Sequence, residues 1–515
     1  MKKHSCSTES NVRPLNSLLI SRFPVLLALF LSVAQTVHAG SATWSSDPGA
    51  TDPSSWFDAA NWTPQTIPNS DADTATFGVD AQTDVSIAHR LNLGGITFDP
   101  GASAYSVAFN GGNHQYTLSG AGIVNNSGVV QNFALAADTT GAAFVYFQGH
   151  SSAGNSTAFR IAGGSARTTG FVGLLFFFGT SSAGSGTFTF DGGADGWNGG
   201  VGTISEDSTL ENATLDLGGA SATGATGAAV RLFTNASAGN ASLVVHGGAN
   251  GKPGGALTFD NNTSGGTSRV KVLGNGTLDI TPHDAPGVTI GSLEGDGTVL
   301  IDKRTLSIGS NNLKTKFSGV IQGDGSVTKL GQGTLTLSSN NTYSGPTTVA
   351  RGMLVVNNTN GSGTGSGPVV VRNGELAGAG IIAGPVSIGV GSAQAILSPG
   401  SGKTNLALLT IQSTLALNAS AVYSFVMDSE RGAANQAIAN GVTINESAAF
   451  SSRDNGNSAL AAGTSFVVIN NTSAGPIAGR FANLADGSTI VIGPNSYQAN
   501  YEGGDGNDLV LGVVE

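Results

Sequence analysis

The 515-residue sequence predicts an all-β fold, a parallel β-helix in which short strands stack coil upon coil. Three observations carry that prediction. The first is an internal echo: Gly295-Asp296-Gly297-Thr298-Val299 returns as Gly323-Asp324-Gly325-Ser326-Val327, and Thr305-Leu306-Ser307-Ile308 returns as Thr334-Leu335-Thr336-Leu337. The offsets are 28 and 29 residues, the range in which one strand-and-turn unit repeats along a solenoid. The second is alternation. In Thr334-Leu335-Thr336-Leu337-Ser338 the leucines point one way and the hydroxyls the other, as in a half-buried strand. The third is composition: 77 glycines and only 11% charged residues describe a surface of Ser, Thr, Asn and Gly around glycine corners. A β-sandwich array would need tight hairpin signals at regular spacing, and those are scarcer here than single glycine corners.

Taken in order, residues 1–39 predict a secretory signal peptide. Lys2, Lys3, Arg13 and Arg22 precede an apolar run from Phe23 to Ala34, and Val37-His38-Ala39 offers small residues for cleavage before Gly40. About 12 apolar residues fall short of the roughly 20 that span a bilayer, which argues against a membrane anchor. Removing this segment removes Cys6, the only cysteine, so neither a disulfide nor a thiolate metal site is expected in the mature chain. Taking its four basic residues and Glu9 from 22 basic and 33 acidic residues leaves a net charge of −14. Such a surface repels nucleic acid and anionic membranes.

Residues 40–100 predict an N-terminal cap. Trp44, Trp56 and Trp62 lie there among Pro48, Pro53, Pro64 and Pro68, and an open coil needs an apolar cover. The same tryptophans could instead stack on sugar rings, with the cap the favoured role. Residues 101–414 predict the β-helix proper. Within it a looser repeat sets a bulky apolar residue ahead of Ser-Ala-Gly: Phe147 with Ser152-Ala153-Gly154, Phe178 with Ser182-Ala183-Gly184, Phe233 with Ser237-Ala238-Gly239, and Phe259 with Thr263-Ser264-Gly265. Ile204 with Ser208-Thr209-Leu210 fills the gap, giving anchors at 154, 184, 210, 239 and 265. Asn-Asn pairs at 311–312 and 340–341 are expected at corners, where stacked amides could form a ladder. Residues 415–515 read as a C-terminal β region of shorter strands, including Val422–Val426 and Ser465–Ile469.

From Phe317 to Val356 the sequence resembles the autotransporter-associated β-strand repeat. The resemblance rests on Phe317-Ser318-Gly319-Val320-Ile321-Gln322-Gly323-Asp324-Gly325, on Leu330-Gly331-Gln332-Gly333-Thr334-Leu335-Thr336-Leu337, and on Asn340-Asn341-Thr342-Tyr343-Ser344-Gly345. Trp56-Phe57-Asp58-Ala59-Ala60-Asn61-Trp62 and Tyr501-Glu502-Gly503-Gly504-Asp505-Gly506-Asn507-Asp508-Leu509 resemble the opening and closing segments of such proteins. The resemblance implies an exported, right-handed parallel β-helix of the passenger type and no particular reaction. A membrane barrel pattern does not precede Glu515, so a separate translocator is a further expected partner.

No residue is assigned a catalytic, cofactor-binding or metal-binding role, and no cofactor is expected. His89, His114, His150, His246 and His283 show no zinc spacing. His283-Asp284 reads as a turn. Gly503–Val510 fits a single calcium-binding nonapeptide, but one copy supplies half a site, and a glycine turn before a final strand is favoured. The expected role is a non-enzymatic surface or extracellular structural and adhesive protein, presenting polar faces to glycans or partner proteins. The alternative is a polysaccharide lyase or glycosidase, which would bring carboxylates together from neighbouring coils.

Overall fold

The computed structural model describes residues 40–47, 49–400 and 406–514. The expected signal peptide, residues 1–39 with Cys6, lies outside them. The described residues form one unit, built from strands mostly three to five residues long that pair in parallel with the coils before and after.

One face is a 13-stranded sheet. It begins at Ala42–Trp44 and Thr74–Phe77 and continues through Leu91–Phe98, His114–Asn125, Ala143–Phe147 and Leu174–Phe177 to Val320–Gln322. A second face runs from Asp84–Ile87 through Gln131–Leu135, Thr157–Ile161 and Thr187–Phe190 to Gly287–Gly295. That last strand forks. Its first half pairs with Thr305–Ile308 and its end, Gly295, with Phe317, so two columns leave it. In Thr334–Leu337 burial alternates as expected: Leu335 and Leu337 are inside, Thr334 and Thr336 half-exposed.

The inner stack is aromatic near the start. Phe133, Phe159 and Phe188 lie ring on ring at 4.8 and 4.9 Å, and Phe147 stacks on Phe177 at 4.9 Å. These separations match the spacing of neighbouring strands, so register alone sets ring on ring.

One corner of each coil between 152 and 266 is closed the same way. Ser152, Ser182, Thr209, Ser237 and Ser264 are paired in register. Each hydroxyl accepts from the N–H two residues on, at 3.0, 2.8, 3.1, 3.1 and 3.2 Å. The donors, Gly154, Gly184, Glu211, Gly239 and Gly266, all have positive φ. Hence Ser-Ala-Gly: the hydroxyl caps, the small residue packs inward, and glycine turns the chain.

The structure corrects the predicted anchors by one residue at two places, to Glu211 and Gly266. The buried apolar partners are likewise Phe177 and Leu232, not Phe178 and Phe233. Phe147 pairs with Phe177, Phe177 with Ile204, Ile204 with Leu232 and Leu232 with Phe259, steps of 30, 27, 28 and 27 residues.

Those steps do not hold through the echo. Leu306 lies beside Val327, and Leu335 beside Leu354, steps of 21 and 19. Leu335 does not stack on Leu306, because the two belong to different columns after the fork. Val299 pairs with Ile321 on the first face, whereas Val327 lies on the second. The 28-residue echo therefore advances one short coil and one further strand. Its glycines do share a role, since Gly295 and Gly323 both hold positive φ where the chain leaves a strand.

Amide ladders exist, but not between the Asn-Asn pairs. Asn240 donates to Asn212 at 3.2 Å and Asn235 to Asp207 at 3.2 Å. Asn341 is buried and replaces strand pairing, accepting from Ile321 N–H at 2.8 Å and donating to Gly363 C=O at 2.7 Å.

Parallel pairing also extends outside 101–414. Thr74–Phe77 pairs with Leu91–Phe98, and Gln436–Ala439 with Ser465–Asn471. The chain closes on antiparallel strands Thr489–Ile492, Asn495–Gly503 and Asp508–Val514.

Candidate functional site

The tryptophan segment is interior. Trp56 and Trp62 are fully buried and Trp44 nearly so, with rings of Trp56 and Trp62 4.8 Å apart and packed on Phe77. Their indole N–H groups donate to Gln82, Pro68 and Trp56 carbonyls at 3.3, 3.0 and 2.8 Å. No ring face is left for a sugar, which removes that alternative.

The histidines do not converge on a metal. His89 stands edge to face with Phe57 and His114, while His246 pairs with Asp216 at 2.8 Å. His283 is buried, its ring nitrogens 2.7 Å from Asp284 C=O and 2.8 Å from Thr263 C=O, a turn lock as its neighbourhood suggested. Among the described residues no group of three His, Cys, Asp or Glu could hold a metal ion.

The nonapeptide Gly503–Val510 is the hairpin joining the last two strands. Asp508 is buried and accepts from Asn471 N–H at 2.8 Å, and burial raises its carboxyl above the usual carboxylate range. Asn507 donates to Ser473 C=O. Asp508 and the Asn507 amide nitrogen tie the hairpin to Asn471 and Ser473, while the Asn507 amide oxygen is buried without a partner.

Three acidic side chains on the outer faces are paired with arginines one coil away: Asp191 with Arg160 at 2.8 Å, Asp260 with Arg231, and Glu294 with Arg269 through two bonds of 2.6 and 2.7 Å. These are ladder contacts rather than a pair of free carboxylates. Within the repeat, Lys329 is buried, and its ammonium donates to the carbonyls of Leu330, Gly331 and Arg351 at one corner. Burial pulls its pKa down to about 8.

Among the depressions on the outer faces of the described residues, two stand out. One, of about 490 Å³, crosses the second face over Asp84, Ser86, Ser106, Ala108, Asn132, Ala134 and Arg160. The other, of about 630 Å³, crosses the first face and has Tyr146 for a wall, with Asn92, Gln115, Thr117 and Gln148 around it. The sequence reading named neither, because each is assembled from several coils.

Comparison with known proteins bears on the class of the chain. Residues 327–356 match the passenger-associated-transport-repeat, within the segment already singled out. Adhesin BmaC autotransporter of Brucella suis biovar 1 (strain 1330) is 36% identical over 118 residues, which are 22% of this chain and 3% of that protein. The chain thus spans a small fraction of that relative's length. The crystal structure of the Haemophilus influenzae Hap adhesin aligns over 86% of this chain and 64% of that chain at 11% identity, with a TM-score of 0.25, too low to bear on fold or function. The repeat and the BmaC relative are thus local likenesses to autotransporter passenger-type proteins, confined to part of this chain. Among the described residues no helix is long and apolar enough to cross a membrane.

Proposed function

We propose that the protein is an adhesive, non-enzymatic β-helix that presents its outer faces to glycans or surface proteins. The observation that carries this reading is the engagement of reactive groups in the fold itself. Asp191, Asp260 and Glu294 are paired with arginines on adjacent coils, and Lys329 is turned to corner carbonyls. Around them the outer faces carry hydroxyls and amides repeated in register, suited to many weak contacts summed along one body. The relative's name, an adhesin, supports the same reading.

In this reading residues 40–100 cover the first coils and residues 415–515 close the last. The β-helix of 101–414 between them carries the binding faces, and a separate translocator is a candidate partner. The test is retention of protein-coated particles, under flow, on surfaces bearing mucin-type glycoprotein or neutral polysaccharide. Retention above that on a bare surface supports adhesion, and equal retention on all surfaces overturns it.

A further inference from the structure

We infer that the cavity beside Tyr146 is a binding site for a neutral saccharide, an inference that rests on the adhesive reading and gives it a place and a ligand class. Outward-facing positions on the first face line up as Asn92, Thr117, Tyr146 and Phe176 on four successive coils. The Tyr146 and Phe176 rings stack at 4.7 Å with 10° between their planes. Since 4.7 Å is one inter-strand spacing, both rings lie across the axis, and Phe176 covers one face of Tyr146. The residue in register on the other side is Thr117, much smaller than a phenol ring. The second face of Tyr146 therefore looks into the cavity of about 630 Å³.

The rest of the lining is polar, and apart from Asn69, which accepts from Asn92 N–H at 2.9 Å, and Ser119, which donates to Leu93 C=O at 3.5 Å, much of it is unspent. Among the described residues, the side chains of Asn92, Gln115, Thr117 and Gln148 make no hydrogen bond, nor does the Tyr146 hydroxyl. Arg90 and Asp71, both exposed at the margin, take part in no ion pair. Free amides and hydroxyls set beside one open aromatic face match a pyranose, whose C–H face stacks on a ring while its hydroxyls donate and accept at the edge.

Charge narrows the class. Arg90 and Asp71 are opposite in sign in one cavity, and the protein is acidic overall, at −11 for the full sequence. An anionic glycan gains nothing from that balance. The lining spans the coils of Asn92, Thr117 and Tyr146, about 10 Å along the axis, room for roughly two sugar units.

The second depression lacks these features. Its outward floor is Ser86, Ala108, Ala134 and Ala158, and its arginine, Arg160, is already paired with Asp191.

The test is titration calorimetry of the whole purified protein with cellotetraose, maltotetraose, mannotetraose and xylotetraose, and with sialyllactose and a heparin tetrasaccharide as anionic probes. The same preparation is passed over immobilised glycoproteins before and after enzymatic removal of their glycans. At least one neutral tetrasaccharide is expected to bind, more weakly by roughly tenfold or more in Tyr146→Ala and within about twofold of wild type in Tyr146→Phe. Gln115→Ala weakens binding without touching the ring, and hydrogen exchange over residues 114–178 checks that each variant keeps its coils. Binding of anionic probes alone overturns the proposal. So does saccharide binding unchanged in Tyr146→Ala. Binding to deglycosylated proteins with no saccharide binding refutes the site and leaves the adhesive reading standing. Binding to none of these refutes both.

Discussion

Replacing Phe159 by alanine should open a gap that the stack cannot close. The ring is 2% exposed, and it lies between Phe133 at 4.8 Å and Phe188 at 4.9 Å, both held in strands by parallel pairing. A third ring, Phe147, meets it edge-on at 6.0 Å. Buried Phe→Ala changes cost about 3–5 kcal/mol, the upper part applying where neighbours cannot collapse. Rings fixed one strand spacing away on both sides are such a case, so about 4 kcal/mol is expected. Phe159→Leu refills most of the volume and should cost about 1–1.5 kcal/mol. A long solenoid need not unfold in two states, so a single midpoint is a poor readout. Hydrogen exchange is the better assay, because 4 kcal/mol lowers protection by about a thousandfold wherever opening includes the damaged coil. The loss should fall on peptides containing Gln131–Leu135, Thr157–Ile161 and Thr187–Phe190 and leave residues 305–388 unchanged. Equal loss along the whole chain, or none near Phe159, would refute coil-by-coil coupling.

Further outcomes follow from single contacts. Lys329, with its pKa lowered to about 8, holds a proton less readily folded than unfolded. Stability should therefore rise with pH from 8, by about 2 kcal/mol at pH 9.5, and a denaturation series should show no such rise in Lys329→Met. Gly295→Ala places a methyl 1.9 Å from Val272 C=O at φ +99, and should cost about 2–3 kcal/mol in urea unfolding. Trp56→Ala should cost about 3–5 kcal/mol, seen first as lost exchange protection in residues 42–98, while saccharide affinity of the folded protein stays within about twofold. About 1 mM calcium should leave the melting temperature unchanged from that in EGTA, since the buried Asp508 carboxyl already accepts from Asn471 N–H and a single nonapeptide supplies half a site.

The corners were legible because their chemistry is local. A hydroxyl that accepts from the residue two positions on, followed by a glycine at positive φ, can be read from three letters. The one-residue slip at Phe178 has an equally local cause. Phe176, Phe177 and Phe178 are all apolar, so alternation could not say which faced inward, and the pairing with Phe147 decided for Phe177. The echo misled about coil length for a different reason. Similar strands imply similar surroundings, not that one lies upon the other, and the fork at Gly287–Gly295 puts the two copies in different columns.

The buried fate of the tryptophans was expected from composition. The Tyr146 cavity was not, although its signal was present: aromatic residues at Phe144, Tyr146 and Phe176 occupy outward positions of strands whose inward positions are also apolar. Only the register shows that the residue below Tyr146 is as small as Thr117.

The measurement that bears most directly on an adhesive, non-enzymatic protein is incubation of the purified chain with a polysaccharide panel, counting bound protein and newly formed reducing ends on the same samples. Retention with no increase in reducing ends is the predicted result. Time-dependent release of sugar ends, proportional to protein added, would contradict it.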